Sequence, residues 1–117
     1  MTKAAKSVLY FAYYLIALSA VLVAVPNLML ETFGMPATGE VWIRVVGVTV
    51  FCLGAYYIVA ARTEFLPLIR LTVPVRVIVC GSFAAFAAVG WAEPPLVLFG
   101  LVDLAGAVWT QVALRAG

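Results

Sequence analysis

The amino-acid sequence predicts an all-α fold, an integral membrane four-helix bundle with both termini cytoplasmic, and three observations lead there. Of 117 residues, 67% are hydrophobic and 10% charged, where soluble domains have roughly 45–50% and about 25%. Four segments approach the about 20 apolar residues that a membrane helix needs. Lysine and arginine are confined to alternate connections, the pattern that marks the cytoplasmic side of a multi-pass protein. A chain this short has no core large enough to hide so much apolar surface, and lipid is the solvent that suits it.

The first span is expected over about residues 7–25. Lys3 and Lys6 precede it, and Pro26, which cannot continue a helix, ends it. A basic start before an apolar run also suits a secretory signal, but the uncharged stretch from Ser7 to Leu30 exceeds the roughly 7–15 residues of a signal core. A retained helix is the reading. The following connection, Pro26 to Glu40, includes Asn27, Phe33, Gly34, Met35 and Pro36. It is apolar enough to lie back on the bundle or in the membrane interface.

The second span is expected over about 41–61 and the third over about 73–91. The sequence between them, R-T-E-F-L-P-L-I-R-L-T after Ala61, is read as a connector whose arginines anchor at anionic headgroups. Ala92, Glu93, Pro94 and Pro95 then form a tight turn into the fourth span, about 95–114, which makes spans three and four antiparallel neighbours. The whole chain, 1–117, reads as a single transmembrane domain. Lys3, Lys6, Arg62, Arg70, Arg76 and Arg115 lie toward one side, and the connections at 26–40 and around Glu93 contain neither lysine nor arginine. The expected location is the cell inner (plasma) membrane. Trp42 and Trp91 then fall at the outer interface and Trp109 toward the inner one. An offset of 53 residues aligns Gly47 with Gly100, Val59 with Val112, Ala60 with Ala113 and Arg62 with Arg115. Spans one and three show no such match, so this echo is read as convergence on a common membrane-helix pattern.

Several chemistries are excluded by inventory. Histidine is absent, and Cys52 and Cys80 form no C-x-x-C, so neither metal nor nucleophilic chemistry has sequence support. Both cysteines read as small apolar side chains in the spans. A net charge of +2 without a basic patch argues against nucleic acid. No catalytic residue, metal or cofactor is expected.

Two charges, Asp103 and Arg44, are read as lying within the membrane. Asp103, eight residues past Pro95, lies roughly 12 Å along its helix, near the middle of a core about 30 Å thick. A lipid-facing carboxylate there would cost on the order of 3 kcal/mol, so it is expected to face the bundle with a partner. Arg44, on the second turn of span two, is the expected partner; the competing arrangement has Arg44 reaching outward to Glu40 at i−4. Gly100, Asp103, Gly106, Ala107 and Thr110 share one stripe of span four, and Arg44, Gly47, Phe51 and Gly54 one of span two. Small residues at such spacings allow close helix approach in lipid, so spans two and four are expected to meet. The pair either fixes helix register or forms the floor of an outward-facing pocket, with Trp42, Gly47, Phe51, Gly100, Gly106, Thr110, Tyr13 and Tyr56 as lining. Tyr10 and Tyr57 are read as interfacial anchors. Tyr13, Tyr14 and Tyr56 lie deeper, within reach of Thr110 or Gln111 across helices.

The runs W-I-R-V-V-G and L-G-A-Y-Y-I-V-A-A-R on span two, F-G-L-V-D-L-A-G-A-V-W-T on span four, and P-N-L-M-L-E-T-F-G-M-P between spans one and two resemble the small bacterial four-helix membrane proteins grouped as DoxX-like. The resemblance is specific around Trp42, Arg44, Gly47, Asp103 and Trp109. It implies a four-helix bundle shared with sterol-isomerase-type membrane domains, whose lipid-binding pockets carry acidic residues; here only Asp103 has that depth. Two functions head the expectations. One is a bundle that binds a lipid, quinone or other apolar molecule, or a membrane protein partner, with Asp103 and Arg44 at the polar end. The other is a small transporter assembled as a homo-oligomer, with a titrating Asp103. An enzyme acting on a lipid ranks third.

Overall fold

The structure, a computed structural model, describes residues 1–116, and all regular secondary structure among them is helical. Five helices follow one another: α1 (Lys3–Ala24), α2 (Pro26–Thr32), α3 (Trp42–Arg62), α4 (Leu66–Ala88) and α5 (Leu96–Arg115). Four of them, α1, α3, α4 and α5, are long and apolar enough to cross a membrane. The outward faces agree with that: on α3 alone Trp42, Val48, Phe51, Tyr56 and Val59 are exposed. In water such a surface would be a severe liability; in lipid it needs no cover.

Both ends of α1 are set by local chemistry. The Thr2 hydroxyl accepts from the Ala5 backbone N–H at 3.1 Å, an N-cap. The Thr2 N–H donates to Glu64 Oε1 at 2.6 Å, which ties the start of the chain to the α3–α4 turn. The chain turns at Val25, and Pro26 then occupies the first position of α2, where its missing N–H costs nothing. As its composition suggests, the segment after α1 folds back: Met29, Leu30 and Met35 point into the bundle, and Phe33 meets Phe99 of α5 edge-on at 5.1 Å.

The helix α4 corrects the expected boundary of span three. It starts at Leu66 rather than near residue 73 and passes through Pro74 without a break, leaving only Thr63–Phe65 as the connection. Proline removes one backbone donor inside a helix, but helices surrounded by neighbours and apolar solvent tolerate the loss.

Helix α1 is the centre of the molecule, packed against α3 and α5, while α4 packs on α5. The expected meeting of spans two and four is not formed; α3 and α5 each lean on α1 instead. Glycines show why. A Cβ at Gly47 would stand 2.8 Å from Val23 Cγ2 and 3.0 Å from Leu22 Cβ, so the small stripe of α3 is already filled by α1. On α5, a Cβ at Gly100 would stand 3.1 Å from the Cys80 Cα of α4. Helices α3 and α4 touch only briefly, although they are consecutive. The end of the bundle carrying both chain termini is closed by small and medium side chains, among them Ala5, Val8, Ala61, Ile69 and Ala113.

Candidate functional site

Because α3 and α4 diverge, the four long helices enclose a cavity of about 370 Å³, within the size range of small-molecule sites. Its walls are helical stripes. Helix α3 contributes Ile43, Val46, Val50, Leu53 and Tyr57, spaced three and four apart; α4 contributes Arg76, Val79 and Phe83; α5 contributes Leu96, Phe99 and Asp103. Phe11, Tyr14, Leu18 and Leu22 of α1 form the back, and Met29, Leu30 and Met35 cover one end. The lining residues that are exposed, Val46, Leu53 and Val75, all belong to α3 and α4. The mouth is therefore lateral, between those two helices.

At the closed end stands Arg76, 1% exposed. It lies ten residues into α4, roughly 15 Å along the helix at 1.5 Å per residue. Its Nε donates to the Thr72 carbonyl at 3.0 Å, and its Nη2 donates to the Thr72 hydroxyl at 3.0 Å and the Thr110 hydroxyl at 2.8 Å. The Thr110 and Ser7 hydroxyls, both fully buried, share a hydrogen bond of 2.7 Å, and Ser7 donates to the Ala4 carbonyl. The guanidinium carbon sits 4.8 Å from the Phe11 ring centroid, a cation–π contact. On its other side there is room only because residue 106 is glycine: a Cβ there would stand 2.9 Å from Arg76 Nη1 and 2.8 Å from Phe11 Cδ2. Nη1 itself is buried with no hydrogen-bond partner among the described residues. An unanswered buried donor costs on the order of 1–3 kcal/mol, and more when charged.

Asp103 lines the same cavity, half-buried, one turn of α5 from Gly106. Arg76, Tyr14 and Tyr57 line the cavity with it, and Tyr14 and Tyr57 pack around Phe11 with ring centroids 5.4 and 6.1 Å away. The cation facing Asp103 is thus Arg76, and the expected link to Arg44 is not formed. Arg44 is exposed and donates from Nη1 to the Val23 carbonyl of α1.

The other expected lining residues divide in two. Gly47, Gly100, Gly106 and Thr110 are buried, at helix contacts rather than on the cavity wall. Trp42, Phe51, Tyr13 and Tyr56 are 68%, 53%, 47% and 65% exposed and face outward. Phe51 borders only a shallow second depression with Ile16 and Val48. Tyr57, read as an interfacial anchor, is instead a buried wall residue; Tyr10 is exposed and stacks on Trp109 at 5.9 Å.

The expected start of span three near residue 73 leaves Arg76 at the edge of a connector, whereas α4 begins at Leu66 and carries it into the bundle. The signal that would have found it is the T-x-x-x-R spacing from Thr72, which places a hydroxyl and a guanidinium on one helical face. Among the described residues no cluster of histidine, cysteine or carboxylate side chains suits a metal ion. No family model, curated protein or solved structure matches the chain. The cavity thus combines apolar walls, one polar end and an opening at the side.

Proposed function

We propose that the protein binds a single lipid-like molecule, such as a quinone, an isoprenoid or a single-chain lipid, inside the four-helix bundle, with its polar end between Arg76 and Asp103. The observation that carries this reading is the buried guanidinium at the closed end of an otherwise apolar cavity, with donors left over. Charged groups in a membrane interior are expensive, and those that persist face a cavity or a partner. A lateral mouth suits a ligand that partitions into the bilayer, because such a molecule reaches the site without crossing water.

The chain is placed in the cell inner membrane with Lys3, Lys6, Arg62, Arg70 and Arg115 on the cytoplasmic side, by the positive-inside rule. Kinship with the DoxX-like bundles is proposed on the residue runs around Trp42, Arg44, Gly47, Asp103 and Trp109.

Native mass spectrometry of the protein purified in mild detergent tests the binding function. The expected result is a retained apolar molecule, one per chain, largely lost in Val79→Phe, where the added ring fills the cavity beside Arg76. A chain that carries no molecule, and instead conducts protons when reconstituted in liposomes, would replace this reading with transport.

A further inference from the structure

The polar end of the cavity specifies the head group of its occupant; this rests on the binding function proposed above. An arginine carries five N–H donors in a fixed plane and keeps its charge in proteins. Three of the five on Arg76 are used, one from Nε to the Thr72 carbonyl and two from Nη2 to the Thr72 and Thr110 hydroxyls. Among the described residues, neither hydrogen on Nη1 has an acceptor.

The Ser7 and Thr110 hydroxyls are already engaged. Ser7 donates to the Ala4 carbonyl, so Thr110 is the donor in its bond to Ser7, and Thr110 accepts from Nη2. Hydrogen bonds then run one way, from the guanidinium through Thr110 and Ser7 into the backbone of α1. This chain fixes the guanidinium plane and leaves Nη1 at the level of Gly106. Asp103 stands three residues earlier on the same face of α5, about 4.5 Å along the axis at 1.5 Å per residue, and among the described residues it makes no hydrogen bond. An ionised carboxylate only accepts. One turn apart at the closed end stand a guanidinium with two unanswered donors and a carboxylate that only accepts, and their formal charges cancel.

We propose that the occupant ends in a neutral hydroxyl, as in a long-chain alcohol or a monoacylglycerol, whose oxygen accepts from Arg76 Nη1 and whose hydrogen is donated to Asp103. An anionic head would set its charge against Asp103. An ester or ketone head would satisfy Nη1 but leave the carboxylate without a donor.

The test uses the full chain in neutral detergent and three probes sharing one apolar chain: oleyl alcohol, methyl oleate and oleyl phosphate, titrated by native mass spectrometry. Oleyl alcohol is expected to bind about tenfold more tightly than either competitor, the scale of one or two hydrogen bonds. In Asp103→Asn, which keeps the side-chain shape and removes its charge, the advantage over oleyl phosphate should shrink to about threefold or less. Methyl oleate or oleyl phosphate binding the unaltered chain as tightly as the alcohol would overturn the inference while leaving the binding function standing. So would an alcohol preference untouched in a folded Asp103→Asn. Failure of all three probes, with no molecule retained on purification, would overturn both.

Discussion

Two arginines of this chain that look alike in sequence end in opposite places, and the difference is a matter of what each can reach. Arg44 begins α3 near an exposed end and finds a backbone carbonyl on α1, at Val23. Arg76 starts from the middle of α4, where its stem leans toward the helix N-terminus, as helical side chains do, and meets Thr110 across the bundle. Asp103 shares its cavity with the second and not with the first. Double-mutant cycles should separate these cases. Thr110→Val and Ser7→Ala are each expected to cost about 1 kcal/mol and to be sub-additive together, since the second removes a group already left unpaired. Arg44→Ala and Asp103→Ala should add within about 0.5 kcal/mol, as residues without a shared partner do. Coupling between Arg44 and Asp103 in unfolding titrations, with none between Ser7 and Thr110, would contradict the geometry.

The helices themselves were largely legible. Apolar length placed all four spans, Pro26 closed the first, and the Glu93–Pro95 turn paired the last two. The start of α4 was not legible, because Pro74 and three flanking arginines imitate the end of a span, whereas in place the helix runs on from Leu66. Glycine stripes on α3 and α5 announced close packing without naming the partner. The structure gives Gly47 to α1 and Gly100 to α4. Gly47→Ala should lower stability by about 1–3 kcal/mol, the usual range for overpacking, because backbone as well as side-chain atoms of Val23 stand in the way. Gly54→Ala, which meets the flexible end of Ile16 first, should cost less. Melting temperatures in detergent, measured side by side, give the order.

Taken together, the molecule is a central helix with neighbours on two sides and a gap between α3 and α4. That gap turns a bundle into a container. Its side opening and the proposed orientation make a joint prediction about accessibility. In a background of Cys52→Ala and Cys80→Ala, single cysteines at Thr2 and Ala116 should resist a membrane-impermeant maleimide added to intact spheroplasts, while one at Thr38 should react. Labelling of one terminus but not the other would be incompatible with four crossings.

Composition and the number of long apolar helices are properties of the chain read one segment at a time, and the sequence alone was enough for them. Apolar length and charge placement decide where a helix prefers to lie in lipid, whatever its neighbours are. The partner of each helix, the place of Arg76 and the existence of the cavity came only with the packed bundle. In lipid, apolar side chains gain little by leaving the solvent for one another, so association is settled by shape and by hydrogen bonds between distant segments. Gly106 accommodating Arg76, and Ser7 meeting Thr110 from the far end of the chain, are contacts of that kind, and no local pattern specifies them.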